Sequence, residues 1–344
     1  MMKNIKARLS IITKSLLAGE LTRNQRSGVP AITLEQVAEA KSFFPMEKFF
    51  IFGHARAGTT LLTRLIRLHP DVHCNYQAHF FTRAPLLQSL VDTRDMEAWF
   101  TRRSNRWNRG GDLSPVVLRA ASDFILERDA RREGKNIVGD KSPNSLLNGE
   151  SVRLMHKVYP DARLIFIIRD GRDTAVSHRF QTFIDASQHL SGDDLRIREN
   201  IKRDPKQYME GKNSIFTEKG LRSAAEGWVK NVEETDELGR EFYKDHYFSL
   251  RFEDLLDNPH EAMKSVWDFL NVDLSLDGLG NAIISEFQNN PDANWQEEKD
   301  GAFVIPQQKG IHGSWKRIFT DNDRALFHRI AGETLVNWGY TVDD

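Results

Sequence analysis

A glycine-bounded loop, Gly53-His54-Ala55-Arg56-Ala57-Gly58-Thr59-Thr60, separates the apolar run Phe49-Phe50-Ile51-Phe52 from Leu61-Leu62-Thr63-Arg64-Leu65-Ile66. Strand, loop and amphipathic helix in that order make a phosphate cradle. Gly58 lets the backbone approach an anion closely, and the N–H groups of the first helical turn point at it. The spacing is that of a nucleotide-binding P-loop, G-x-x-x-x-G, but the Lys expected after the second glycine is Thr59. A kinase or NTPase uses that Lys against the terminal phosphates of its nucleotide. This chain places its cation inside the loop instead, as Arg56. The loop is built for a phosphate other than that of ATP.

That departure carries a resemblance. Arg56-Ala57-Gly58-Thr59-Thr60-Leu61-Leu62 resembles the R/K-S/T-G-T-T-x-x loop of sulfotransferases, which wraps the 5′-phosphosulfate of 3′-phosphoadenosine 5′-phosphosulfate (PAPS). Arg169-Asp170-Gly171-Arg172-Asp173-Thr174-Ala175-Val176-Ser177 follows the run Leu164–Ile168 and is similar to that family's 3′-phosphate block, in which an Arg and a Ser eight positions later clamp the phosphate. Lys309-Gly310-Ile311-His312-Gly313-Ser314-Trp315-Lys316 resembles the K-G-x-x-G-x-W-K segment that closes over the same phosphate. The resemblance implies PAPS as co-substrate, no metal, Arg56 as the catalytic cation on the bridging oxygen, and donor contacts from Ala57, Gly58, Thr59, Thr60, Leu61, Arg169, Ser177, Lys309 and Gly310. Two departures stand out. Gln308 replaces an Arg common before the Lys, and Leu61 replaces the indole that often follows the second Thr, which leaves the adenine stacker open.

Sulfuryl transfer also needs a base within hydrogen-bond reach of the acceptor's proton. Gln77-Ala78-His79-Phe80-Phe81 is similar to the Glu-x-His-Phe-Phe run of carbohydrate-type sulfotransferases, whose Glu is the base; Gln77 cannot accept a proton. Two candidates remain. His79 matches the family His and titrates near neutrality. Asp140, in Val138-Gly139-Asp140-Lys141-Ser142-Pro143, lies at a strand-to-loop position resembling a bacterial sulfotransferase G-D-K-T/S-P run.

The elements that must position these residues are legible in the pattern. Thr33-Leu34-Glu35-Gln36 is a capping box opening a helix through Phe43. Apolar runs at 49–52 and 164–168, with shorter ones at 72–74, 137–138 and 247–252, predict strands, and the stretches between them predict helices. That alternation predicts an α/β fold, a parallel sheet of about five strands flanked by helices and similar to P-loop NTPases. Asn258-Pro259-His260-Glu261 predicts another helix start with Asn as cap. Residues 185–214 lack a sustained apolar period and read as a polar insertion or lid. The domain expectation is an N-terminal helical extension over 1–45 and one sulfotransferase domain over 46–344.

With 344 residues and 40% hydrophobic content the chain can bury a sizeable core, and a formal net charge of −1 gives no bulk attraction to nucleic acid. A single cysteine, Cys74, excludes an intramolecular disulfide. No stretch approaches the ~20 apolar residues of a membrane span, so the expected location is cytoplasmic. The segment Met1 to Gly19 reads as a short amphipathic helix packing on the body, with a homo-oligomer or membrane-surface contact as the alternative. The expected activity is sulfotransfer from PAPS to a small-molecule or carbohydrate hydroxyl or amine. An atypical P-loop kinase and a catalytically degenerate nucleotide-binding protein are the alternatives.

Overall fold

The computed structural model describes residues 26, 28–102, 104, 106–108, 110–144, 146, 148–186, 188, 190–288 and 312–341. Five strands, β1 (Glu47–Gly53), β2 (Val72–Tyr76), β3 (Ile137–Lys141), β4 (Arg163–Ile168) and β5 (Tyr247–Arg251), form one sheet in the order β2-β3-β1-β4-β5. Every pairing is parallel, with Ile51 level with Lys141 on one side and Ile165 on the other. The expected five-stranded parallel sheet is what the chain forms.

Alternation along β1 and β4 explains the layers. Phe49, Ile51, Ile165 and Ile167 face one core, with Leu62, Leu65, Met263 and Val266 from the helices Thr59–Ile66 and Pro259–Phe269. Phe50, Phe52, Leu164 and Phe166 face the other, with Leu118, Met155, Trp228 and Phe327 from four other helices. A strand apolar on both faces must be covered on both, which is why the central runs carry no polar alternation. The helix Leu34–Phe43 has the predicted Thr33/Gln36 capping box and packs on the Ser114–Arg132 helix.

Sheet order decides where a ligand can bind. From β1 the chain crosses toward β2 and returns through β3, whereas β4 and β5 lie on the other side of β1. The connections after β1 and β4 therefore diverge, opening a crevice beyond their carboxyl ends, the usual ligand position in open α/β sheets. Arg56 and Arg169 leave the sheet there.

Two local expectations change. Residues 185–214 contain the helices Gly192–Arg203 and Pro205–Met209, the first opened by a Ser191/Asp194 capping box. Asn258 precedes the Pro259–Phe269 helix but makes no side-chain cap, because its backbone (φ −135°, ψ 60°) turns the short side chain away. The Met1–Gly19 segment lies outside the described residues.

Candidate active site

The loop after β1 is shaped by two left-handed residues, Arg56 (φ 76°) and Gly58 (φ 90°). At Gly58 no other residue fits: an added Cβ would lie 2.1 Å from the Phe252 ring. The Thr59–Ile66 helix starts directly after it with no acidic residue in its first turn, so its partial positive end is not neutralised locally. Thr59 is buried, Thr60 is exposed, and Leu61 is partly buried against the β1 core rather than turned to the crevice.

Arg56 and Ser177 meet. The Arg56 Nε donates to Ser177 Oγ at 3.0 Å, across 121 residues of sequence. Arg169 donates from NH1 to the Arg56 carbonyl at 3.2 Å, and its guanidinium lies 5.0 Å from the Phe252 ring centroid. Burial first, and then the neighbouring Arg169 charge, hold the Arg56 guanidinium below its ordinary pKa, though far above neutrality in effect. Two guanidinium groups held this close to one another favour an anion.

The second arginine of the block has a different task. Arg172 is buried, pairs with Asp170 at 2.8 Å and stacks 3.7 Å from the Trp315 ring centroid. These contacts commit Arg172 to the core. Asp173, also buried, accepts hydrogen bonds from Gly313 N (2.6 Å), Ser314 Oγ (2.7 Å) and Trp315 N (3.1 Å). The described part of the C-terminal block is thus pinned beside the Arg169–Ser177 segment. Lys309 and Gly310 lie outside the described residues.

On the other flank, the end of β3 organises the 77–79 turn. Gln77 and His79 both have positive φ, 59° and 53°. Such backbone is costly for non-glycine residues and persists only where contacts fix it. Gln77 N donates to Lys141 O (2.7 Å), Ala78 N to Asp140 Oδ1 (3.0 Å), and His79 N to Ser142 Oγ (2.9 Å). Ser142 Oγ in turn donates to Asp140 Oδ2 at 2.5 Å. Both Asp140 oxygens are therefore engaged in holding this turn, and burial pushes the carboxyl up to about 6 against those hydrogen bonds and Lys141. His79 Nδ1 is 2.8 Å from Thr82 Oγ1. Burial, then the Arg83 and Lys141 charges, lower the imidazole below its ordinary value, so it is neutral at pH 7.

Lys141 shares with Asp140 the strand-to-loop position that suits a site facing the donor. Its Nζ is 3.3 Å from Thr60 Oγ1, at the start of the phosphate-cradle helix, and 5.2 Å from the Tyr76 ring centroid. The cation that a P-loop carries after its second glycine is here delivered from β3. The available signal was its place at the carboxyl end of a strand beside Asp140. Phe252, which roofs Gly58 and underlies Arg169, was read only as part of a strand.

A family model described as the sulfotransferase family matches residues 48–209. A protein-tyrosine sulfotransferase of Drosophila melanogaster is 27% identical over 228 residues, covering 66% of this chain and 38% of that protein. Protein-tyrosine sulfotransferase A of Caenorhabditis elegans is 32% identical over 133 residues, 37% of this chain and 32% of that one. The chain thus spans well under half the length of these curated relatives. Among solved structures, a mouse sulfotransferase complexed with PAP aligns with a TM-score of 0.46 at 16% identity, covering 88% of this chain and 89% of that one. The cytoplasmic placement is corrected by these comparisons: the relatives are named as enzymes of protein tyrosine, and none supports it. One buried cysteine suits any compartment, and that no described helix is long and apolar enough to cross a membrane does not locate the chain. Over residues 48–209, from β1 to the helix Pro205–Met209, this chain matches the sulfotransferase family.

Proposed function

We propose that the protein transfers a sulfuryl group from PAPS to a hydroxyl acceptor. The observation that carries this reading is the meeting of Arg56 with Ser177 over the start of the Thr59–Ile66 helix, at the diverging ends of β1 and β4. The donor, when bound, supplies the sulfuryl group and a phosphate leaving group. Backbone N–H groups of Gly58 to Thr60, the helix end and Lys141 would hold the 5′ side, with Arg169, Ser177, Lys309 and Gly310 on the 3′-phosphate. Arg56 neutralises charge that builds on the leaving oxygen, a preorganised electrostatic contribution in a site partly shielded from water.

His79 takes the acceptor's proton at Nε2. For that, Nδ1 must carry its own hydrogen and donate it to Thr82 Oγ1, which the 2.8 Å contact permits. Asp140 serves as the positioning residue beneath the turn rather than as the base, because both of its oxygens already accept hydrogen bonds. The names of the relatives make a tyrosine-type phenol the first acceptor to test, ahead of small-molecule or carbohydrate hydroxyls.

The test is calorimetry with 3′-phosphoadenosine 5′-phosphate, AMP and ATP–Mg²⁺, followed by turnover of labelled PAPS over tyrosyl peptides, simple phenols and sugars. Tightest binding of the 3′-phosphorylated nucleotide, and turnover lost in Arg56→Ala, are expected. Mg²⁺-dependent ATP binding tighter than either other nucleotide would refute the donor assignment.

A further inference from the structure

Two imidazoles border the Arg56–Ser177 contact and have no task in the mechanism above. His54 follows β1 at the start of the loop, and His178 follows Ser177 on the Gly171–Asp185 helix. Their rings are edge-to-face with centroids 6.2 Å apart. His54 Nδ1 lies 2.7 Å from the Ala55 carbonyl oxygen. A carbonyl only accepts, so Nδ1 carries the hydrogen and Nε2 is the basic nitrogen. The charged groups near the pair come from every adjoining element: Arg56 from the loop and Arg179 from the same helix act on His178, while Arg169 from the end of β4 and Asp185 from that helix act on Arg56. Asp194, from the next helix, is occupied by Arg179 at 2.7 Å. The two charged groups that act on His178, Arg56 and Arg179, are both cations.

We propose that His178 belongs to the donor site and takes up a proton as the polyanionic nucleotide binds, adding a third cation to Arg56 and Arg169 while His54 stays neutral beside it. The inference rests on the donor reading above. Both rings are held below the ordinary imidazole value. For His54 the cause is burial, opposed by the Ala55 carbonyl and reinforced by His178, and it brings the ring to about 4. For His178 the causes are the surrounding protein and then the Arg56 and Arg179 charges. His178 is nonetheless exposed at the surface, so its arginine neighbours are the contribution that a ligand can change. Phosphate groups arriving among those arginines reverse the local potential, which favours the charged imidazole. Mutual repulsion allows only one ring to charge, and the exposed one does so at lower cost.

Calorimetry with 3′-phosphoadenosine 5′-phosphate in buffers of differing ionisation enthalpy, from pH 6 to 8, measures the protons taken up. The nucleotide's own phosphates titrate near pH ~6 in every sample and cancel between variants. Wild type is expected to take up roughly 0.3–1 proton more than His178→Gln near pH 7. Its affinity should also weaken up to about tenfold more than the variant's as pH rises, the equivalent of one unit of pKa. His54→Asn should keep most of the linkage. Tight binding with equal proton uptake in wild type and His178→Gln overturns the inference and leaves the donor reading standing. Linkage lost in His54→Asn but kept in His178→Gln overturns it also. A wild-type protein that binds no 3′-phosphorylated nucleotide overturns the donor reading and this inference with it.

Discussion

Asp140→Asn separates a base from a brace, and the size of its effect can be worked from the site. The Asp140 carboxyl is raised from its ordinary 3.8 to about 6 by burial. A folded-state value above the unfolded one means that the folded protein binds the proton more tightly. Stability is then fully present below pH ~4 and declines as pH rises through ~6. The ordinary-to-raised difference corresponds to about 3 kcal/mol, since each unit is worth ~1.4 kcal/mol. Asparagine cannot titrate, and its amide can accept from Ala78 N while donating to Ser142 Oγ. Urea denaturation of both proteins from pH 4.5 to 8 should therefore show the variant gaining on wild type by about 2–3 kcal/mol across that range, with all other titrating groups cancelling. Turnover should stay within about tenfold of wild type, because the 77–79 turn is still held. A stability gap flat with pH would refute the buried-carboxylate argument. A loss of 10²-fold or more in turnover, with donor binding intact, would make Asp140 the base instead.

Four further outcomes follow from the same geometry. His79→Asn should lose about 10²–10⁴ in turnover with donor binding preserved, and wild-type turnover should rise with pH through a value below 6.5, where the neutral imidazole forms. Gly58→Ala should destabilise by roughly 2–5 kcal/mol in chemical denaturation, from left-handed backbone and the Phe252 clash together, with Phe252→Ala recovering only the steric part. Arg169→Ala should weaken 3′-phosphoadenosine 5′-phosphate by about 1.5–3 kcal/mol in calorimetry while AMP binding changes little; equal losses would remove Arg169 from the 3′-phosphate. Asp173→Ala should cost about 2–4 kcal/mol by strip-ping three donors of their buried acceptor, and limited proteolysis should cut faster near 312–318.

How much of this was legible before the structure depended on the range of the interaction involved. The phosphate loop could be read because strand, glycine and helix start are contiguous, and backbone geometry there is set within eight residues. The sheet could be read because buried parallel strands are apolar on both faces. The Arg56–Ser177 contact spans 121 residues, and only the order β2-β3-β1-β4-β5 brings it about. Asp140 looked like a base because a carboxylate at a strand end usually has a free oxygen; the Ala78 and Ser142 donors that fill it come from a turn and a loop that the sequence does not show as neighbours. The helix after Ser191 did carry a signal, Ser191-x-x-Asp194, but the polar run that follows has no apolar face of its own to mark it.

The Arg169-Asp170-Gly171-Arg172-Asp173 run shows why residue type alone could not assign the site. Its two arginines lie three apart, each followed by an aspartate, and on an exposed helix they would be interchangeable. The break in the chain makes them different. Asp170 is the N-cap of the Gly171–Asp185 helix, and its carboxylate accepts from Arg172 N at 2.8 Å. That fixes the carboxylate over the first turn, where the Arg172 side chain closes back onto it beneath Trp315. Arg169 lies between the end of β4 and the cap, and its side chain reaches the Arg56 carbonyl. The Trp228 indole donates to the Arg169 carbonyl at 3.1 Å. Asp173, in the first turn of the helix, takes the C-terminal segment. One helix start thus divides four charged residues between a core pair, a contact with the Arg56 loop and a clasp. Reversing the order of cap and arginine would leave the composition unchanged and abolish the site.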